Sequence, residues 1–216
     1  MAHKRVYLIR HAVTAGNEKR RYVGCRTDEA LSAAGIRETL ARKAYYEDLL
    51  GDDKDFPGEN GEKQKLHFYA SPLKRAMQTA EILFDDPEIT RVPDFMEIDF
   101  GAFEGKNHAE LAGNPLYQEW IDSNGALLFP GGEDRDSFVK RSLHGFYEVL
   151  ADLSVDETAV IICHGGTLMA ILSGLTGREY FDFMVGNLEG YRLDLEMGHE
   201  GILDVSYSRI GDRDPA

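Results

Sequence analysis

Apolar positions along this chain fall into two kinds of run. The short continuous ones, "RVYLIR" (5–10), "KLHFYA" (65–70) and "TAVIIC" (158–163), are rich in β-branched and aromatic residues and read as buried strands. Between them the period lengthens. Within 32–50, Ile36, Leu40 and Ala44 recur at helical spacing behind Ser32, a candidate N-cap. "SPLKRAMQTAEILF" (71–84) gives the clearest helical pattern, with Ser71 at the N-cap, Pro72 at the first helical position, and Leu73, Met77, Ala80 and Leu83 as one stripe. Residues 134–153 predict a long helix, and "HGGTLMAILSGL" predicts a turn and helix directly after the third strand. "ITRVP" predicts one more short strand. "GYRLDLEM" and "GILDVSYS" flank a Gly-containing turn and predict a closing hairpin. Residues 51–64, polar and rich in Gly and acids, predict a surface loop, and 94–131 predict loops and short helices.

Strands thus alternate with helices from end to end, without an internal repeat. That order predicts an α/β fold, a three-layer α/β/α sandwich with a mainly parallel central sheet, over a single domain spanning 1–216. Ligands of such sheets lie at the carboxyl ends of the strands. Three positions are thereby nominated: Arg10–His11 after the first strand, Ser71–Pro72 after the second, and His164 after "TAVIIC".

Charge narrows the partners. The net charge of −14 over 216 residues leaves no basic stripe for nucleic acid or an anionic membrane. Any phosphate site must be a local concentration of positive charge, and global steering of anions is not expected. The N-terminal stretch has no apolar run of signal-peptide length, and no segment approaches the ~18 apolar residues of a membrane span, so a cytoplasmic protein is expected. Two cysteines, Cys25 and Cys163, form no disulfide framework and no metal-binding pair, so neither metal nor cofactor is expected.

Two histidines, His11 and His164, then end two apolar strands at one rim. Arg10 ends a buried strand and needs an anion, and Arg75 lies in the first turn of a helix, where free N–H groups favour one. Guanidinium forks suit phosphate geometry. Asn17 is either an amide donor to a phosphate oxygen or a turn residue beside Gly16. A histidine nucleophile also needs a proton donor for the leaving oxygen. "FMEIDFGAFEG" (95–105) offers Glu97, Asp99 and Glu104, and residue pattern alone does not choose among them.

The motifs that carry these residues resemble, in order, those of the histidine phosphatase superfamily, which includes the phosphoglycerate-mutase-like proteins. "LIRHAVTAGN" (8–17) resembles the R-H-G signature. "YVGCRTDEALSAAG" (22–35), "ASPLKRAMQTAEIL" (70–83), "MEIDFGAFEG" (96–105), "FPGGEDRDSFVKR" (129–141) and "VIICHGGTLMAIL" (160–172) are similar to the segments that follow it. The resemblance implies a phosphoglycerate-mutase-like fold and a metal-independent phosphomonoesterase. In that role His11 forms a phosphohistidine, Arg10, Arg75, Asn17 and His164 hold the phosphoryl oxygens, and Glu97 is the acid. Thr14 and the backbone of Gly165 are expected to shape the pocket, and Arg26 and Glu133 to reach its mouth. Pattern is closest to the alpha-ribazole phosphatase-like branch, which implies a small phosphorylated metabolite such as alpha-ribazole 5'-phosphate, acted on by a monomer or homodimer. The alternatives are a phosphoglycerate mutase and a catalytically weak phospholigand-binding module. Ala12, in place of the motif glycine, motivates the last, because a Cβ there is strained if φ is positive. Phe103 for a common Trp, Asp134 for a common Ser and Ala30 for a common Pro are the other departures.

Overall fold

The computed structural model describes residues 2–51, 65–154, 157–199 and 201–211. It is a mixed α/β sandwich around a six-stranded sheet of order β3-β2-β4-β1-β5-β6. The strands are β1 (Ala2–Arg10), β2 (Leu66–Ala70), β3 (Ile89–Arg91), β4 (Thr158–Cys163), β5 (Gly190–Gly198) and β6 (Gly201–Ile210). β3, β2, β4 and β1 run parallel, and β5 and β6 add the antiparallel hairpin. Register sets Arg10 opposite Cys163 and Ala70 opposite Ile162, so β2, β4 and β1 end side by side.

Every residue of β4 is buried, as a central parallel strand covered on both faces requires. Alternation along the strands divides the core. Val6, Leu8, Tyr69, Ala159 and Ile161 face a layer containing Phe146, Val149, Leu168 and Ile171, from helices α6 (Arg135–Asp152) and α7 (Gly165–Thr176). Tyr7, Ile9, Ala70, Val160 and Ile162 face Tyr46, Leu50, Ala76, Ala80 and Leu83 of α2 (Ala33–Gly51) and α3 (Lys74–Phe84). A third cluster, around Ile98, Phe103, Leu111, Tyr117, Phe129 and Phe138, builds the long connection between β3 and α6. Its short helices are α4 (His108–Leu111) and α5 (Pro115–Asp122), and α1 (Ala15–Glu18) lies in the loop after β1.

Two expectations are corrected. In α2 the predicted stripe is outward: Ile36 and Leu40 are 40% and 57% exposed and Ala44 is exposed too. The buried face is Gly35, Thr39, Tyr46 and Leu50. A Cβ on Gly35 would fall 2.0 Å from the carbonyl oxygen of Val13, so the helix approaches that loop through backbone. Ser32 does cap it, its Oγ accepting from Gly35 N at 3.1 Å. Helix α3 begins at Lys74, not Pro72, and its cap is remote: Lys74 N donates to Asp28 Oδ1 at 2.7 Å. Ser71 is instead drawn to His164. The predicted stripe Leu73, Met77, Ala80 and Leu83 is buried throughout. The loop expected over 51–64 lies, from residue 52, outside the described residues. Among the described residues no helix is long and apolar enough to cross a membrane.

Candidate active site

His11 follows β1 directly, its N–H held by Cys163 O at 2.9 Å across the β1–β4 pair. Its Nδ1 lies 2.7 Å from Ala12 O. A carbonyl only accepts, so Nδ1 carries the proton and Nε2 keeps a free lone pair. Burial, and then the charges of Arg75 and Arg10, push the His11 pKa well below its ordinary value. The imidazole is neutral and nucleophilic at neutral pH.

His164 caps the start of α7, and its ring centroid lies 5.0 Å from that of His11. Arg75 Nε donates to His164 Nδ1 at 3.2 Å, so Nε2 carries the proton and donates to Ser71 Oγ at 2.7 Å. Burial, then Arg75, also lowers this histidine. Both rings are therefore held as neutral, complementary tautomers by fixed partners.

Arg75 is wholly buried. Its Nη1 donates to Thr27 O at 2.7 Å and its Nη2 to Gly24 O at 3.1 Å and Val23 O at 3.3 Å. Arg10 Nη1 donates to Val185 O at 2.7 Å, and its buried Nε has no partner among the described residues. These partners are carbonyls and an imidazole nitrogen, none of them anionic. Two guanidinium charges thus converge beside two neutral imidazoles, a positive pocket in an acidic protein, suited to a phosphoryl dianion.

Of the three candidate acids, the structure brings Glu97 to this pocket. It is 8% exposed. Its Oε1 accepts from Ile98 N at 3.0 Å and its Oε2 from Gly166 N at 3.1 Å. Burial raises its pKa despite those N–H donors and the two arginines. Asp99 is engaged by Arg26, and Glu104 Oε1 accepts from Gly24 N at 2.9 Å. Gly166 matters sterically, since a Cβ there would fall 2.1 Å from Glu97 Oε1. A Cβ on Gly165 would meet Arg10 more mildly, in a tight contact 3.3 Å from Nε.

Thr14 and Asn17 form a reciprocal cap on α1: Thr14 Oγ1 accepts from Asn17 N and Asn17 Oδ1 from Thr14 N, each at 3.2 Å. Because Oδ1 is committed, the amide Nδ2 is the free end, with the polarity a phosphate oxygen needs. Arg26 is engaged by protein partners. Its guanidinium pairs with Asp99 at 2.8 Å and with Gly131 O. Glu133 is likewise engaged, by Arg141 at 2.8 Å. Ala12 is fully buried and has no positive φ, so its methyl is core packing and the strain expected of it is absent.

Two contributors were not visible in the sequence pattern. Arg141 donates to the carbonyls of Asp94 (2.9 Å), Met96 (2.7 Å) and Glu97 (3.2 Å), and so holds the segment carrying the acid. Its motif position in "DSFVKR" was a signal without a role attached. Asn187 Nδ2 donates to His11 O at 2.8 Å and to Asn17 Oδ1 at 3.3 Å. Nothing local marks it, because both partners are some 170 residues away in sequence. Beside the pocket, a recess of about 280 Å³ shares Arg10, Glu97, Gly165 and Gly166 with it, and half of its other lining residues are aromatic.

Comparison with known proteins places the chain in a family. A relative named "Putative phosphoserine phosphatase 2", from Hydrogenobacter thermophilus, is 32% identical over 179 residues, covering 81% of this chain and 79% of that one. The alpha-ribazole phosphatase of Shigella flexneri superposes with a TM-score of 0.71 at 21% identity, covering 92% and 93% of the two chains. A phosphoserine phosphatase mutant of Entamoeba histolytica, solved with phosphoserine, gives 0.71 at 24% identity over 94% and 96%. At these identities the two structures speak for the fold. The model of the histidine phosphatase superfamily (branch 1) matches residues 6–206, and the chain belongs to that family.

Proposed function

We propose that this protein is a phosphomonoesterase working through a phosphohistidine at His11. The observation that carries the reading is the pairing of a buried, neutral His11, its Nε2 free, with a buried Glu97 whose pKa is raised. In the first step the Nε2 lone pair attacks phosphorus in line, the P–O ester bond breaks, and the proton on Glu97 passes to the leaving oxygen. In the second, the Glu97 carboxylate takes a proton from water, whose oxygen attacks phosphorus. The P–N bond breaks, and phosphate leaves with His11 neutral again. Arg10 and Arg75 meet the charge on the equatorial oxygens, where preorganised donors act most strongly. Asn17 adds an amide donor, Thr14 and Gly165 shape the backbone around it, and His164 fixes Arg75 in place.

Each proton and charge in this cycle is handled by a side chain, so the activity is expected to be independent of added metal. The substrate we propose is a small phosphorylated metabolite, with alpha-ribazole 5'-phosphate the first ester to try. Hydrolysis of p-nitrophenyl phosphate in EDTA, by the wild type and by His11→Ala, tests the reading. Activity that survives EDTA and is lost in the variant is expected. Equal activity in both proteins would overturn it.

A further inference from the structure

We propose that the recess beside the phosphoryl pocket is a subsite for an uncharged aromatic leaving group, with Trp120 and Arg135 as its specificity-determining residues. The inference rests on the phosphomonoesterase reading above. The ester oxygen has to lie against Glu97, and Glu97 forms part of the recess wall together with Arg10. Whatever the oxygen carries must therefore extend into that space.

One side is an aromatic sheet. Trp120 and Phe129 lie 4.9 Å apart between ring centroids, Phe129 and Phe100 5.1 Å, and Phe100 and Tyr22 5.1 Å. Tyr180 and Phe181 also line the recess, covered by the guanidinium of Arg135 at 4.9 and 5.2 Å from their centroids. A planar guanidinium laid on rings offers its edge and face to a further flat group.

Charge in the recess is sparse and one-sided. Its ionisable acids and bases, apart from the tyrosines, are Arg10, Glu97 and Arg135. Arg10 and Glu97 serve the phosphoryl group and its leaving oxygen. An ammonium on the leaving group would meet Arg135 and no carboxylate other than the catalytic one, and an unpaired buried charge is strongly disfavoured. A flat, neutral, aromatic group meets the six rings that line the recess, and such contacts are geometrically selective.

The test compares kcat/KM for benzyl and 2-naphthylmethyl phosphates with that for glycerol 3-phosphate and O-phosphoserine. All four leave as alcohols, so aryl activation of the leaving group does not bias the comparison. The arylmethyl esters should be preferred by about tenfold or more, and Trp120→Ala should remove about tenfold from them alone. Met184→Glu changes an exposed position at the mouth without opening the core, so it stays informative should the Trp120 variant not fold. It should depress the naphthyl ester and raise phosphoserine, by giving the ammonium a partner. Glycerol 3-phosphate or phosphoserine turned over as well as the naphthyl ester would overturn the subsite while leaving the phosphatase standing. No turnover of any ester, with no label on His11, would overturn both.

Discussion

Gly166→Ala tests the assignment of the acid with a single methyl group. A Cβ built on Gly166 falls 2.1 Å from Glu97 Oε1, 3.0 Å from its carboxyl carbon and 3.1 Å from Phe138 Cε1. Carbon–oxygen contacts close at about 3.3 Å, so the carboxyl must retreat by about 1 Å. The retreat also stretches the 3.1 Å bond from Gly166 N to Oε2. A reacting group misplaced by that much costs on the order of 10²-fold. The loss should fall on proton donation. The kcat/KM of an alkyl phosphate, which reports the phosphorylation step, should therefore drop about 100-fold, whereas that of p-nitrophenyl phosphate, whose phenolate leaves without a proton, should lose less than about tenfold. The methyl meets mainly the carboxyl end of the Glu97 side chain, and Gly166 lies in the first turn of α7, so the fold is expected to persist, and thermal unfolding checks this. Alkyl ester turnover within about twofold of wild type would refute the role given to Glu97. An equal loss of kcat/KM on both esters would place the damage in the phosphoryl pocket instead, whereas kcat can fall on both because Glu97 also activates the water of the second step.

Other expectations follow from the same geometry. Ala12→Gly should cost about 1–2 kcal/mol in thermal or urea unfolding, from lost methyl burial and added backbone freedom, with kcat unchanged, since Ala12 is buried core without a positive φ. A rise in kcat would show that Ala12 restrains the motif. Turnover requires neutral His11, whose pKa is pushed down, and protonated Glu97, whose pKa is pushed up. The profile of kcat/KM should thus peak on the acid side of neutrality, and Glu97→Gln should abolish its alkaline limb. Stability runs the other way. His11 and His164 have folded pKa values below the ordinary 6.5, so the unfolded chain binds more protons beneath it. The histidines' contribution to unfolding free energy should decline as pH falls from about 6.5 towards the depressed folded values, against an opposing contribution from Glu97, whose raised pKa makes the folded state the better proton binder, and His164→Gln should lessen the decline. Arg141→Met should lower kcat/KM on alkyl esters more than on p-nitrophenyl phosphate by freeing the carbonyls of Asp94, Met96 and Glu97, a split that simple destabilisation would not produce.

What could be read from the chain was what is local. The three apolar runs became adjacent strands, and the residues just beyond them, His11, Ser71 and His164, met at one rim as the parallel order requires. The stripe of α3 was legible because Met77, Ala80 and Leu83 pack on the sheet and Leu73 is buried at its start. Its start was not, because Asp28 from a distant loop supplies the cap and His164 takes the Ser71 hydroxyl. In α2 hydrophobicity misled, since the contact is made by Gly35 and by Thr39, whose hydroxyl donates to Gly35 O at 2.7 Å, while Ile36 and Leu40 face out.

The site divides in the same way. Arg10, His11, Arg75 and His164 stand at strand ends or a helix start, positions a pattern can mark. Glu97, Asp99 and Glu104 are alike in local sequence, and only family resemblance selected one of them. In space Glu97 alone of the three shares the recess with Arg10, packed against Gly166. Asn187 and the aromatic recess depend on contacts between distant segments and leave no local trace.

The most direct measurement is where phosphorus goes. The wild type would be mixed with a ³²P-labelled ester, quenched in base, which preserves phosphohistidine, and digested for peptide mapping. Label on the peptide containing His11, released by mild acid and absent from His11→Ala, is the predicted result. Label retained in His11→Ala, or turnover by the wild type with label on another side chain, would contradict the account.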